Sequence, residues 1–107
     1  MTRPWRVAVS GHSMEPALRE GDWLLMLPPR RTPRRGDVVL FRDPRERDRL
    51  LLKRVAAVRD GACVVEGDHV GHSTADSRHF GAIPASDVIA RAAFRYAPLR
   101  RFGPLRG

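Results

Sequence analysis

The chain has almost no lysine. Twenty of its 107 residues are Lys or Arg, nineteen of these are arginine, and Lys53 stands alone. Arginine keeps its proton at any physiological pH, whereas a buried lysine can lose it. Lys53 is therefore either a chance survivor or a position that needs a neutral amine. Cysteine is equally scarce. Cys63 has no partner in the sequence, which excludes an internal disulfide and fits a reducing compartment. Inside the apolar run "ACVVEG" it reads as a small buried hydrophobe. Long apolar runs are missing: "WLLML" and "LLL" are strand-sized, short of the ~18–20 residues that span a bilayer. The opening "MTRPWRVAVSG" lacks the apolar centre of a secretory signal, and the twelve residues before Ser13 are too few for an anchor helix and a linker. These absences lead us to expect a soluble cytoplasmic protein with no integral membrane segment.

Aromatic residues are also few, at 7%, and this bears on the charge. A net charge of +8 raises nucleic acid or an anionic surface as a partner. The arginines, however, are spread over "PPRRTPRRGD", "RDPRERDR" and "RYAPLRRFGPLRG", with few rings on which bases would stack. Nucleic acid is not expected as the primary partner.

What is present is an apolar content of 42%, punctuated by nine Gly and nine Pro. This is the pattern of a small globular chain of short strands and turns. Strands are expected at Trp5–Val9, Trp23–Leu27, Asp37–Arg42, Arg49–Arg59, Ala62–Glu66 and Val88–Tyr96. Turns are expected at "EGD", "PPRRTPRRGD", "RDPRERD", "RDG", "EGDHVG" and "FGAIPASD", with one helical turn in "MEPALRE". No stretch holds a 3.6-residue apolar period over three turns, so the fold class is mainly β, in a single domain over 1–107. The loop from Gly67 to Ala82 is long for so small a domain, as functional loops often are.

Three pieces carry possible chemistry. Ser13 follows an apolar strand, in a turn entered through Gly11 and left through Pro16. Gly11 permits close backbone approach and Pro16 stiffens the exit, which suits a nucleophile with backbone donors beside it. In isolation Ser13 reads more readily as an ordinary turn residue. Lys53 lies in "LLLKRVAAV", where a period of two puts Leu51, Lys53, Val55 and Ala57 on one face. An amine there is desolvated and competent as a general base; both faces of this strand are apolar, so the pattern does not choose between an inward and an outward Lys53. In "GDHVGHSTADSRHFGAI", Thr74 offers a hydroxyl to orient an amine, and Asp76 and Arg78 can pair across a tight turn. His12, His69, His72 and His79 read as exposed loop histidines, since only His69 and His72 have a ligand-like spacing and no second pair matches it.

"SGHSMEPAL", "GDVVLF", "LLKRVAAV" and "GDHVGHSTADSRHFG" follow one another in an order that resembles the type I signal peptidases and their relatives, serine proteases with a Ser/Lys dyad. The resemblance covers about 9–97 and leaves 98–107 as a basic tail. It implies twisted antiparallel sheets like the catalytic core shared with self-cleaving repressors, without a membrane anchor. It implies Ser13 as nucleophile, Lys53 as general base, Thr74 as the group orienting the lysine, Asp76 and Arg78 as a structural pair, and Met14 and Pro16 as shapers of the nucleophile turn. It calls for no cofactor and no metal. Where some members carry a serine two residues before the nucleophile, this chain has Gly11, which leaves the second oxyanion donor unassigned. Ala17 and His69 also depart from the usual Thr and Asn. Within the superfamily, "STADSRHFG" and "RYAPLRRFGPL" resemble the soluble proteases that mature nickel-type superoxide dismutase. The implied partner is the dismutase precursor, whose N-terminal extension would be removed to free the nickel-binding residues.

Overall fold

The structure is a computed structural model that describes residues 5–10, 14–15, 17–68, 80–97 and 103–105, with backbone alone for Trp5, Tyr96 and Ala97. Its strands are β1 (Trp5–Ala8), β2 (Trp23–Leu27), β3 (Val38–Asp43), β4 (Glu46–Arg59), β5 (Ala62–Glu66), β6 (Ile83–Pro84), β7 (Val88–Ala97) and β8 (Gly103–Pro104). They form one antiparallel sheet in the order β1-β2-β7-β3-β4-β5-β6, with β8 also on β7. Among the described residues no helix is long and apolar enough to cross a membrane.

β3 explains the arrangement. Its sequence, Val-Val-Leu-Phe, has no polar alternation, and Val38 to Phe41 are all buried. A strand of that kind needs cover on both faces. Val38 and Leu40 join Val9, Met14, Leu18, Leu24, Met26, Ala90 and Ala92 in one cluster. Val39 and Phe41 join Leu51, Val55, Cys63, Val65, Ile83 and Val88 in another. Each fully buried side chain of this size contributes about 1.5–3 kcal/mol, so the two clusters hold the sheet together.

β4 serves both neighbours. Leu50–Arg54 pair with β3 and Arg54–Arg59 with β5, so Arg54 stands opposite Val38 on one side and Glu66 on the other. The connection to β5 is a two-residue turn, Asp60-Gly61, both with positive φ (49° and 77°) and flanked by the pair Arg59 and Ala62. Asp-Gly favours that geometry. The turn between β3 and β4 is held by Asp43, which accepts bonds from the Arg45 backbone N–H (2.8 Å) and Arg45 Nε (3.3 Å).

All six expected strands are present, and three details differ. β4 starts at Glu46, not Arg49, because the Asp43–Arg45 turn closes the hairpin early and Arg47 to Arg49 bulge between the Glu46 and Leu50 pairings. The "FGAIPASD" segment holds β6 and a short 3₁₀ turn (Ala85–Asp87). The segment 98–107 is more than a basic tail: Gly103 and Pro104 pair with Arg95 and Phe94, and Leu105 packs on the first cluster. The single turn expected in "MEPALRE" appears as one bond from the Leu18 N–H to the Met14 carbonyl, 2.9 Å.

Cys63 is fully buried, as its apolar setting suggests. Burial, seconded by the Asp37 carboxylate, pushes its thiol above the ordinary range. The native protein is expected to resist a thiol-specific disulfide reagent, and labelling should proceed at the rate of unfolding and become fast in urea. Rapid labelling without denaturant would contradict this placement.

Candidate active site

Lys53 sits mid-way along β4, directly across from Val39. Backbone alternation puts it on the face of Leu51 and Val55, both members of the second cluster. It is 4% exposed. The choice left open by two apolar faces is thus resolved inward for Lys53, while Arg54 takes the other face. The Val39–Lys53 pairing decides this, because Val39 and Phe41 are committed to the same cluster.

Arg54 does a different job. Its Nε and Nη2 each donate to the Asp68 carboxylate at 3.0 Å, and Nη1 donates to the Gly36 carbonyl at 2.9 Å. One guanidinium therefore joins β4, the loop before β3 and the segment leaving β5. That segment enters the 69–79 stretch, which contains Thr74, Asp76 and Arg78. Its other foot is Phe80, whose ring meets Phe41 edge-on with centroids 6.0 Å apart and lies 5.4 Å below the Arg45 guanidinium. Phe41 pairs with Leu51, two residues from Lys53. The stretch thus has one ionic foot, on Arg54, and one aromatic foot, on Phe41, and only the aromatic foot lies on the Lys53 face of the sheet.

The segment around Ser13 is anchored too. Val9 donates to the Asp22 carbonyl (2.8 Å) and accepts from the Gly21 N–H (2.9 Å), which closes Val9–Asp22 into a loop. Met14 (3% exposed) and Leu18 (0%) turn into the first cluster. The Asp22 carboxylate, itself buried, accepts the Arg19 N–H at 3.0 Å. Gly11, Ser13, Pro16, Thr74, Asp76 and Arg78 lie outside the described residues, as do the four histidines. Of the expected site residues the structure describes Met14 and Lys53. No group of three or more His, Cys, Asp or Glu among the described residues is placed to hold a metal ion.

An open pocket of about 630 Å³ is lined by Arg35, Gly36, Arg54, Val55, Ala56, Glu66, Gly67 and Asp68. Lys53 is not among its lining residues. The sequence reading missed Arg54 and Asp68 as a pair. Nothing in a chain of nineteen arginines marks one of them as half-buried and bidentate.

Residues 3–59 match the family described as signal peptidase, peptidase S26. That span contains both Ser13 and Lys53 and ends before Thr74. The mitochondrial inner membrane protease subunit 1 of Xenopus tropicalis is 33% identical, with 94% of this chain and 73% of that protein covered. The mitochondrial ATP-independent inner membrane protease subunit 1b of Arabidopsis thaliana is 31% identical, over 68% of this chain and 56% of its own length. Inner membrane protease subunit 2 of Schizosaccharomyces pombe is 29% identical, with 89% and 66% covered. The chain thus spans a little over half of the Arabidopsis relative.

Two substitutions test the anchors. Arg54→Lys replaces the fork by a point charge and should lower unfolding stability by about 1 kcal/mol, read from urea midpoints. Asp43 is buried, which alone would raise its pKa, but the Arg45 bonds and charge and the nearby Arg49 outweigh this and hold it below the usual carboxylate range. A depressed carboxylate stabilises the fold above its unfolded value of about 4 and loses that contribution as pH falls through the folded value. Asp43→Asn should therefore cost about 1–2 kcal/mol near neutrality, and the gap to the parent protein should close below about pH 4. A gap that stays constant with pH would contradict the assignment.

Proposed function

Starting from the fact that the chain belongs to the signal peptidase family, peptidase S26, we propose that it is a serine endopeptidase in which Ser13 attacks and Lys53 is the general base. The observation that carries this is the burial of the chain's one lysine in an aliphatic row. Water is kept from the amine there, which favours the neutral, proton-accepting form. Lys53 takes the Ser13 proton as Oγ attacks the scissile carbonyl, and the resulting oxyanion is held by backbone N–H groups beside Ser13. The protonated lysine passes that proton to the leaving amine. Water activated by Lys53 then releases the acyl group and regenerates Ser13. Thr74 orients the amine, Gly11 lets backbone donors close in, and Asp76 with Arg78 stiffens the stretch whose two feet are anchored at Asp68 and Phe80. This chemistry uses no cofactor.

The finer reading is that the substrate is a nickel-type superoxide dismutase precursor, cut in the cytoplasm to expose its nickel-binding N-terminus. Its support is the resemblance of "STADSRHFG" and "RYAPLRRFGPL" to that subfamily. A second reading, processing of a different precursor, is favoured by the relatives, which are named inner membrane proteases. Incubating the protein with a nickel dismutase precursor and with an unrelated secretory precursor separates the two. Cleavage of the dismutase precursor alone is expected; cleavage of the secretory precursor alone favours the second. Ser13→Ala and Lys53→Arg should each reduce cleavage at least about a thousandfold, because arginine cannot give up its proton. Cleavage that survives both substitutions would end the dyad reading.

A further inference from the structure

Arg95 of β7 reaches into the segment that carries Ser13. Its Nη1 donates to the Ala17 carbonyl at 2.6 Å and lies 3.6 Å from Asp22 Oδ2. The Arg95 side chain is 17% exposed and that of Asp22 3%, so the contact is shielded from water. Asp22 also holds the Arg19 N–H and, through its carbonyl, the Val9 N–H. One guanidinium thus engages both ends of Ala17–Asp22, the second half of the loop.

The first half is held differently. Met14 and Leu18 sink into the first cluster, and the Leu18 N–H bonds the Met14 carbonyl. Apolar burial fixes how deep the turn sits but has no preferred direction. A charge-assisted bond is directional. The Ala17 bond therefore supplies the orientation that Met14 and Leu18 leave open, three residues after Met14. Arg95 is itself well fixed, with its backbone paired to Leu24 of β2 on one side and Gly103 of β8 on the other.

We propose that Arg95 is a positioning residue for Ser13, acting through Ala17 and Asp22. The inference rests on the reading of Ser13 as nucleophile and adds a specific residue, far away in sequence, on which its aim depends. Misplacing a reacting group by about 1 Å can cost a hundredfold in rate, so a partial loosening should be visible.

The test is Arg95→Lys, which keeps the charge and the aliphatic stem but loses the fork. Two quantities are read: amide hydrogen exchange at Leu18, with Val39 as an internal control, and the kinetics of dismutase-precursor cleavage. Leu18 exchange should accelerate about tenfold while Val39 is unchanged, and kcat should fall about tenfold with KM within about twofold. Asp22→Asn keeps an acceptor for the Arg19 N–H and removes the charge facing Arg95; it should show the same pattern more weakly, and it carries the test if Arg95→Lys also exposes Val39. Unchanged Leu18 exchange overturns the proposal. So does faster exchange with an unaltered kcat, or a raised KM alone, which would make Arg95 a substrate contact. If Ser13→Ala leaves cleavage intact, the nucleophile reading fails separately, and Leu18 exchange still decides whether Arg95 holds the turn.

Discussion

β3 has no wet face along Val38–Phe41, and the rest of the molecule is arranged around that constraint. Its side chains alternate between two apolar clusters. A slip of one residue against β4 or β7 would exchange every side chain between them, so the register is tightly specified. Lys53 takes its position from this. With Val39 committed to one cluster, the residue paired with it faces the same way whatever its own chemistry. A lysine is thereby held inward by its neighbours' preferences and not by its own.

The surrounding segments are secured by pairs of unlike tethers. The stretch between Asp68 and Phe80 has an ionic foot on Arg54 and an aromatic foot on Phe41. The loop from Val9 to Asp22 has an apolar half, through Met14 and Leu18, and a polar half, through Arg95 and Asp22. Burial supplies most of the free energy and little geometry; hydrogen-bonded charge supplies geometry and little net free energy. Used together at each segment, they fix both depth and direction. In each ionic pair the carboxylate belongs to a Gly-Asp step at a strand boundary, Gly67-Asp68 after β5 and Gly21-Asp22 before β2.

Much of this could be read from the residues. Short apolar runs between Gly and Pro gave six strands in their places, the Asp-Gly turn followed from its dipeptide, and Cys63 followed from its aliphatic setting. The order of the motifs around them singled out Met14 and Lys53 as candidates, and the structure adds that both are buried. The inward orientation of Lys53 was not legible, because Leu52 and Leu51 make both faces of β4 apolar and only the pairing with Val39 breaks the tie. β6 and β8 were missed because two residues have no period. The Arg54–Asp68 and Arg95–Asp22 pairs were missed because nineteen arginines and twelve acids allow too many partners, and burial, which selects among them, is a property of the fold.

The place of β7 in the sheet has a consequence for synthesis. β1 and β2 form one hairpin and β3, β4 and β5 one meander, and β7 is the strand that lies between them. Leu24 meets its partner Arg95 only when roughly seventy further residues have been made. While the chain leaves the ribosome, two separate pieces therefore wait side by side, each with apolar surface that only β7 can cover. The turn beside Ser13 and the strand bearing Lys53 lie on opposite pieces. A fold assembled in this order acquires its two halves early and the strand that joins them late.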